Sequence, residues 1–274
     1  MTLKLDGPLV VAGAGKMGGA LLEGLLARGL DPGQVVVQDP APPADVADFL
    51  ARHGIAAEAG IASLVRSPAI ILVAVKPQVI ETVFPPLARH AGPATLVLSI
   101  AAGKTIAGFE AHLAPGTAVV RAMPNTPAAV GRGITACVGN RHVTHHQRQL
   151  ANELLSAVGE VVWVEREQLM DAVTAVSGSG PAYVFLLAEC LAEAGRAAGL
   201  EPQLADRLAR ATVSGSGELL NRSDLSAAEL RKNVTSPGGT TAAALSVLMG
   251  EPGLKELLIE AVAAAAARGR ELSK

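Results

Sequence analysis

The chain of 274 residues has very few aromatic side chains, 2% of the sequence, and a formal net charge of −2 at pH 7. It contains no block of basic residues and no basic stretch interleaved with aromatics. Proteins that bind nucleic acids present a positive surface and often aromatic platforms on which bases stack. The composition therefore argues against a nucleic-acid partner. Because half of the residues are hydrophobic but few are aromatic, the core must consist of Ala, Val, Leu and Ile.

Cysteine is also scarce, since Cys137 and Cys190 lie far apart and form no CxxC motif. This usage predicts a cytoplasmic protein in which both thiols stay free. The N-terminus has a single lysine, Lys4, before an apolar run that breaks at Gly13, and makes a poor signal peptide. No apolar run of about 18 residues lacks charges, glycine and proline, so no membrane span is expected.

The sequence lacks the usual signals of metal and nucleophile chemistry. The one histidine cluster, His142, His145 and His146, has no further ligands at tetrahedral spacing. It is interpreted as a solvated helix start with Thr144 as its cap, so no metal site is predicted. There is no GxSxG elbow, and the serines of 177–181 (SGSGP) have no activating base in view. That stretch is interpreted as the end of one helix and a close approach of the next.

What is present, up to Glu165, is an alternation of short apolar runs with helical patterns such as Met17–Arg28 and Val79–His90. Continuous runs rich in Val and Ile are typical of parallel strands covered on both faces, and the alternation indicates βαβ units. We therefore predict an α/β Rossmann domain with a doubly wound, mostly parallel sheet over residues 1–166. The predicted strands are Leu9–Ala12, Val35–Gln38, Ile70–Val73, Thr95–Ile100, Ala118–Arg121, Ile134–Val138 and Val161–Val164.

Residues 167–274 show no convincing strand and are predicted to form an all-α domain. The predicted helices are Gln168–Val176, Ala182–Ala198, Pro202–Asn221, Ala227–Lys232, Thr241–Met249 and Gly253–Arg270, and the sequence from Ser226 to Glu229 matches a capping box. The surplus of small and apolar residues exceeds what a bundle of this length needs for itself. A homodimer interface is therefore predicted, with a monomeric Ala-rich bundle as the alternative.

A glycine-rich loop, Gly13-Ala-Gly15-Lys-Met-Gly18, follows the first strand and opens a helix. Gly13 permits a tight turn, Gly15 lets the backbone approach a pyrophosphate, and Gly18 permits close helix–strand packing. The helix N-terminus offers N–H groups to the phosphates. A second strand ending in Asp39 lies at the expected offset, so the loop predicts a dinucleotide site rather than a merely structural turn.

Three further loops follow predicted strands at the carboxyl end of the sheet, where cofactors bind in doubly wound folds. They are Ala74–Gln78 (AVKPQ), Ala101–Thr105 (AAGKT) and Arg121–Pro127 (RAMPNTP). In the first, Lys76-Pro77 is either a cofactor contact or a helix start with proline near N1. In the third, two prolines bracket polar side chains, which form either a turn or a wall of the active-site cleft.

The stretch Ser236–Thr241 (SPGGTT) places proline and two glycines immediately before an Ala-rich helix. Backbone N–H groups around Gly239 and Thr240 point outward at the positive end of this helix. Glycine without a side chain lets a ligand come close. The physics of the loop predicts a carboxylate site, and a capped helix start without a ligand is the alternative.

In order, the motifs GAGKMG, AVKP, SIAAG, RAMPNTP, DAVTAVSGSGPAYVF and VTSPGGTTAAAL resemble pyrroline-5-carboxylate reductase, the last enzyme of proline biosynthesis. The resemblance covers essentially the whole chain. It implies a Rossmann domain followed by a helical domain that interleaves with a partner as a homodimer, and dimers in this family often assemble into larger rings. It also implies reduction of the C=N bond of 1-pyrroline-5-carboxylate by NADP(H), giving L-proline.

The resemblance also implies roles for individual residues. Ser236 helps to bind the substrate carboxylate, and Thr241, the proposed catalytic residue, hydrogen-bonds the ring nitrogen. Asn233 lies between cofactor and substrate, and Glu167 lies at the substrate edge. The predicted substrate residues are Glu167, Asn233, Ser236, Gly239, Thr240 and Thr241. The predicted cofactor residues are Ala12, Gly13, Ala14, Gly15, Lys16, Met17, Gly18, Asp39, Ala74, Val75, Lys76, Pro77, Ile100, Ala101, Ala102 and Asn233.

Asp39 separates two expectations about the cofactor. A carboxylate at the end of the second strand accepts hydrogen bonds from the ribose hydroxyls of NADH and repels the 2′-phosphate of NADPH. No arginine or lysine follows in DPAPPADVADF to neutralise that phosphate. The residues therefore favour NAD(H), whereas the resemblance favours NADP(H). Asp39 could also turn away and cap the next turn, which would leave both cofactors usable.

Two rival functions are open at this point. A β-hydroxyacid dehydrogenase would need a catalytic lysine in the helical half, and Lys232, beside Asn233, is the lysine near the proposed substrate loop. A non-catalytic dinucleotide-binding regulator would bind the cofactor without turnover, and the intact SPGGTT loop argues against it. Met249 departs from the family pattern, which usually has a polar or acidic residue there, and only a local effect is expected.

Overall fold

An eight-stranded sheet forms the first part of the chain in the computed structural model, which describes residues 4–61 and 64–272. The strand order is β3-β2-β1-β4-β5-β6-β7-β8. The strands are β1 Leu9–Ala12, β2 Val35–Gln38, β3 Ala57–Glu58, β4 Ile70–Val73, β5 Leu96–Ser99, β6 Ala118–Met123, β7 Gly133–Gly139 and β8 Gly159–Trp163. Each of the predicted strands overlaps an observed one, and the prediction of a doubly wound sheet is confirmed.

The sheet is parallel except where β6 and β7 pair antiparallel. The connection between these strands, 124–132, is too short for the crossover that a parallel neighbour requires. β8 then pairs parallel with β7. The prediction missed β3 because this strand has two exposed residues and therefore shows no apolar run.

Helices cover the sheet and continue beyond it. They are α1 Lys16–Ala27, α2 Ala44–Arg52, α3 Ile80–Ala88, α4 Ile106–Glu110, α5 His145–Leu155, α6 Met170–Val173, α7 Gly180–Ala197, α8 Pro202–Arg222, α9 Ala227–Asn233, α10 Thr240–Leu248 and α11 Leu254–Leu272. Thr144 caps α5 and Ser226 caps α9, as predicted, and each forms a capping box, which the sequence predicted only for Ser226. In the second box the hydrogen bonds from Ser226 hold the pKa of Glu229 below its usual value.

The sheet separates two hydrophobic layers. One layer packs Leu9 and Val11 of β1 against Leu22 of α1, and the other packs Val73 against Phe84 and Phe109. The rings of Phe84 and Phe109 meet edge to face, with their centroids 4.9 Å apart. Apart from these two rings, the largest fully buried side chains are leucine and isoleucine, in line with the aliphatic core that the composition predicts.

The chain folds as two compact units, and the first of these is the Rossmann unit. It runs to Gly178 and includes the C-terminal end of the chain from Ala266 onward. The predicted cofactor residues from Ala12 to Ala102 and the predicted substrate residue Glu167 all belong to it.

The second, helical unit is Ser179–Ala265, and its side chains are mostly exposed. Within these described residues, the apolar side chains that are buried are Ala192, Ala205 and Ala209. They lie on α7 and α8, where small residues let the helices approach closely. A Cβ added to Gly195 would lie 3.3 Å from Cβ of Ala205.

Large apolar side chains line the surface of the helical unit instead of filling an interior. On α7, Phe185 is 64% exposed, and on α11 Leu257 is 62% exposed. A groove of about 780 Å³ runs between α10 and α11 and is lined largely by leucine, isoleucine, valine and methionine. Contiguous exposed apolar surface of this kind marks an interaction site.

No membrane span is predicted from the sequence, but the structure contains a stretch that fits one by length and composition. Within the described residues, the helical stretch Glu167–Ala197 has a mean hydropathy of 1.3 over an 18-residue window. The glycines and the proline at 178–181 were expected to separate two helices. The break is present: a π-helical turn, Thr174–Gly178, ends just before Ser179, and α7 begins at Gly180 with Pro181 in a first-turn position that tolerates proline.

The two cysteines are free, as predicted, and their environments differ. Cys137 lies buried in β7, where burial raises the pKa of its thiol to about 12. Cys190 is exposed on α7. Because a thiol becomes nucleophilic only as the thiolate, the raised pKa disfavours reactions of Cys137 in the folded chain.

Candidate active site

The glycine loop between β1 and α1 has the geometry that its sequence predicts. Gly13 has a φ of +93°, and a Cβ there would lie 2.9 Å from the carbonyl of Ala74. A Cβ at Gly18 would lie 2.3 Å from the carbonyl oxygen of Gly13, so the helix can approach the strand only without a side chain. At Gly15 no atom lies within 4 Å of an added Cβ. The backbone at Gly15 therefore faces open space, as a phosphate cradle requires.

Helix α1 starts at this loop with Gly15 as its N-cap and no side-chain cap hydrogen bond. The first-turn N–H groups of a helix have no partner within the helix and carry a partial positive charge. A pyrophosphate at this position would accept these hydrogen bonds. The residues present therefore fit a dinucleotide.

Asp39, at the end of β2, is bonded to the glycine loop. Its Oδ2 accepts a hydrogen bond of 2.8 Å from the N–H of Ala14, and its Oδ1 accepts one of 2.9 Å from the N–H of Ala41. The alternative in which Asp39 caps the following turn is therefore part of the observed geometry. The carboxylate nevertheless stays beside the loop, because Ala14 belongs to that loop.

The loops after β1 and β4 lie at the same edge of the sheet, on either side of the point where the strand order reverses, and the loop after β5 lies next to the one after β4. Doubly wound folds bind their ligands at this switch point. The N–H of Ala74 bonds to the carbonyl of Ala12, and the N–H of Ile100 bonds to the carbonyl of Val73. Backbone hydrogen bonds thus bring the predicted cofactor loops together.

Lys76 and Pro77 begin a short 3-10 helix, Pro77–Val79, with proline in its first turn. The helix-start interpretation of this dipeptide is confirmed. It does not exclude contact with a cofactor, since the lysine is exposed at the carboxyl end of β4.

The loop of the RAMPNTP motif forms a turn. Asn125 precedes the 3-10 helix Thr126–Val130, and its Oδ1 accepts a hydrogen bond of 2.9 Å from the N–H of Ile134. Gly131, with a φ of +67°, ends that helix. The amide of Asn125 therefore stabilises the connection to β7, and its role as a cleft wall stays a prediction.

Glu167 lies in the Rossmann unit and contacts two other elements. Its Oε1 accepts hydrogen bonds from the N–H of Ile106, at 2.8 Å, and from Nη1 of Arg121, at 3.0 Å. Arg121 itself is 5% exposed. The sequence had not singled out this arginine as functional, although an arginine in an otherwise apolar strand signals a buried ion pair.

Ser177 and Gly178 have structural roles in the π-helical turn before α7. The hydroxyl of Ser177 donates to the carbonyl of Val173 at 3.1 Å. A Cβ at Gly178 would lie 2.7 Å from Cε of Met123, so this glycine lets a side chain of β6 come close, whereas the close approach of the next helix stays a prediction. A hydroxyl bonded to its own helix is not an activated nucleophile.

The remaining predicted substrate residues lie together in the helical unit, around the start of α10. Gly239 is the N-cap of α10, with an extended backbone and no side-chain cap hydrogen bond. Gly238 has a φ of +69°, and the N–H of Gly239 bonds to the carbonyl of Ser236 in a tight turn. Asn233 is the last residue of α9, and Thr241 lies in the first turn of α10.

This start of α10 lacks the side-chain cap that the alternative reading assumed. Neither threonine of the loop caps the helix, because Thr240 and Thr241 lie inside it. Its first-turn N–H groups are therefore available to an anion, and Gly239 leaves the approach open. Among the described residues, no group of three or more His, Cys, Asp and Glu is placed to hold a metal ion.

Two family profiles match this chain, one in its helical second half and one in its Rossmann first half. The profile of the family described as pyrroline-5-carboxylate reductase dimerisation matches residues 167–272. A second profile, described as NADP oxidoreductase, coenzyme F420-dependent, matches residues 9–103.

Similar proteins span nearly the whole chain. The chain is 42% identical to the pyrroline-5-carboxylate reductase of Mycobacterium tuberculosis over 96% of both chains. It is 39% identical to that of Pseudomonas aeruginosa, over 96% of this chain and 95% of the relative. Among solved structures, the pyrroline-5-carboxylate reductase of Coxiella burnetii superposes with a TM-score of 0.89 at 36% identity, over 98% and 99% of the two chains. The Plasmodium falciparum enzyme, solved with NADP bound, gives a TM-score of 0.81 at 30% identity over the same shares.

Proposed function

The chain belongs to the pyrroline-5-carboxylate reductase family and reduces 1-pyrroline-5-carboxylate to proline with a nicotinamide dinucleotide, and we propose how its residues divide this work. Residues 1–166 hold the cofactor, whereas residues 167–274 bind the substrate carboxylate and the second protomer. The profile match that begins at residue 167 supports this functional boundary. The compact units divide farther along the chain, after Gly178.

The observation that carries the substrate proposal is the start of α10. Gly239 begins this helix without a side-chain cap, next to a glycine of positive φ. The N–H groups around Gly239 and Thr240 bind the substrate carboxylate, aided by the hydroxyl of Ser236. A carboxylate at a helix N-terminus is stabilised by these hydrogen bonds and by the helix dipole.

Thr241 is the proposed catalytic residue. Its hydroxyl, in the first turn of α10, hydrogen-bonds the ring nitrogen while the carboxylate is held by the loop. A bound reduced nicotinamide supplies the hydride. Because the carbon of a protonated imine is already electrophilic, the protein has mainly to orient the substrate, and no strong general acid is needed. Asn233, adjacent to this loop in sequence, completes the proposed substrate set.

The cofactor set comprises the glycine loop, Asp39 and the loops after β4 and β5. We propose that the enzyme uses NADH, because Asp39 presents a carboxylate next to the glycine loop at 2.8 Å from the N–H of Ala14. Each of its oxygens retains a lone pair for a ribose hydroxyl, and a 2′-phosphate would meet an uncompensated negative charge. NADP(H), which the NADP-bound relative contains, is the alternative.

A homodimer follows from the dimerisation family and from the exposed apolar faces of the helical unit. We further propose that dimers assemble into a larger ring and that the enzyme works in the cytoplasm. The two free cysteines support a reducing compartment.

The experiment is a steady-state assay that follows the near-ultraviolet absorbance of the reduced nicotinamide. With 1-pyrroline-5-carboxylate, NADH and NADPH are compared, and we expect oxidation that depends on the imine and yields one proline per nicotinamide. Oxidation of hydroxyacids without imine reduction would favour a β-hydroxyacid dehydrogenase. Cofactor binding without turnover would favour a regulatory protein.

A further inference from the structure

A buried ion pair links three elements of the Rossmann unit next to a predicted cofactor loop. Arg121 lies on β6, beside Ser99 of β5 in the parallel register. The side chain of Arg121 is 7% exposed and that of its partner Glu167 is 25% exposed. The same carboxylate oxygen of Glu167 accepts the N–H of Ile106 at the start of α4. Glu167 therefore fixes the end of the loop that runs from β5 to α4.

That loop, Ala101–Thr105, is held at both ends by polar groups. At its beginning, the N–H of Ala101 donates to Oγ of the buried Ser99 at 3.2 Å. At its end, Thr105 caps α4 by accepting from the N–H of Gly108, and the next residue, Ile106, donates to Glu167. These hydrogen bonds fix both ends of the loop, and within it Gly103 adopts a φ of +74°, which other residues rarely adopt.

A salt bridge between Lys104 of the same loop and Glu81 also holds the loop, but it is much more exposed. Nζ of Lys104 lies 2.7 Å from Oε1 of Glu81, a side chain that is 61% exposed. Lys104 holds the pKa of Glu81 below its usual value. Exposed pairs of this kind contribute little, whereas a buried arginine that loses its carboxylate is left with an uncompensated charge. The Arg121–Glu167 pair is therefore the stronger constraint on the loop.

We propose that Glu167 is a positioning residue for the cofactor, which acts through Ile106 and the loop Ala101–Thr105. This rests on the proposed function in one respect, namely that the loop contacts the cofactor. It differs from the role at the substrate edge that the family resemblance implies for Glu167. Arg121 has a positioning role as well, because its buried guanidinium orients the carboxylate of Glu167.

The test compares Glu167→Ala with Glu167→Gln in the full-length protein. The amide oxygen of glutamine can still accept from Ile106 and Arg121, whereas alanine removes both hydrogen bonds. Cofactor affinity is measured by calorimetry with NADH and NADPH in the absence of imine. We expect Glu167→Ala to weaken binding of the preferred cofactor roughly three- to thirtyfold, a typical range for residues that act at a distance. Glu167→Gln should recover most of this loss.

A matched control is Glu81→Gln, which removes the negative charge from the exposed salt bridge between Glu81 and Lys104 on the same loop. It should change cofactor affinity by less than about twofold, as expected of an exposed pair. If Glu167→Ala does not fold, Arg121→Lys takes its place: it keeps the charge but loses the planar fork, and should also weaken cofactor binding.

Two results would overturn the proposal. In the first, the Glu167 variants raise the KM for the imine while cofactor affinity stays at the wild-type value, which would assign Glu167 to the substrate. In the second, the variants lower the melting temperature but change neither affinity nor KM, which would make the pair purely structural. The calorimetric readout needs no turnover, so failure of the proposed reaction would be seen separately, as a wild type that binds cofactor but does not reduce the imine.

Discussion

The Rossmann unit and the helical unit of this chain differ in how much of their large apolar side chains they bury. The Rossmann unit buries its central strands and the helix side chains packed on them, and Leu9, Leu72 and Phe84 are 0% exposed. In the helical unit, the buried apolar side chains among the described residues are three alanines, while Phe185 and Leu257 remain exposed. A unit that leaves its large apolar side chains outside lacks the burial that stabilises a domain. The difference indicates that the helical unit is completed by a second copy, as expected of a dimerisation domain.

The largest effect should come from a charge on the exposed face of α7. We expect Phe185→Asp to abolish the dimer and most of the activity, because burying an unpaired carboxylate in an apolar interface costs several kcal/mol. Light scattering and the imine assay measure the two outcomes. Val65→Asp is the matched control, since Val65 is fully exposed in the Rossmann unit and should tolerate the charge. An intact, active Phe185→Asp dimer would mean that α7 faces solvent.

Removing a core side chain of the Rossmann unit tests whether this unit, unlike the helical one, is stabilised by its own buried core. Phe84→Ala should lower the free energy of unfolding by about 3–5 kcal/mol, as a cavity in a closed core does. Leu257→Ala should act mainly through the dimer, so its effect should depend on protein concentration. Chemical denaturation at two concentrations separates these cases. A Leu257→Ala effect as large as that of Phe84→Ala and independent of concentration would show that the helical unit has a core of its own.

We expect the helical unit to supply the contacts that determine turnover of the imine and the Rossmann unit to supply those that bind the cofactor. We expect Thr241→Ala in the helical unit to lower turnover about 5- to 150-fold, because one hydrogen bond to a polar or charged group contributes roughly 1–3 kcal/mol. Cofactor affinity should hardly change. Ser246→Ala removes another hydroxyl from α10, which donates to the carbonyl of Ala243 in the same helix, and serves as the control. Wild-type kinetics in Thr241→Ala would show that this hydroxyl does not meet the substrate.

The smallest effect is expected at Asp39 in the Rossmann unit. Asp39→Ser should shift the ratio of kcat/KM for the two cofactors toward NADPH by about tenfold, or roughly 1.4 kcal/mol, and leave the KM for the imine unchanged. Asp31→Ser is the control, because Asp31 also accepts a backbone N–H two residues farther on, from Gly33. A wild type that strongly prefers NADPH, with no shift in the variant, would show that Asp39 does not read the ribose.

The sequence predicted the Rossmann unit well because its signals are local. Apolar runs such as Ile70–Val73 identify strands, and the glycine loop has a fixed relation to the strand and helix beside it. The roles inferred for Gly13 and Gly18 follow from the backbone alone, and the structure confirms the tight turn and the close packing.

What the sequence did not reveal depends on contacts between distant residues. The N–H of Ala14 bonds to Asp39 and that of Ile106 bonds to Glu167, and neither pairing has a signature in the intervening sequence. The helix start at Gly239 was predicted as a carboxylate site, but its lack of a side-chain cap required the structure. The π-helical turn at Thr174–Gly178 was also missed, because the predicted helix Gln168–Val176 shows no local signal that distinguishes a π-helical turn from an α-helical one.

The mass of the active enzyme in solution tests the central claim most directly, namely that a second copy completes the helical unit. Light scattering is measured at micromolar concentration under the conditions of the imine assay. The account predicts a mass of at least twice the 27.8 kDa of one chain, with activity per chain falling when dilution produces monomers. A monomer of 27.8 kDa with full activity would contradict it.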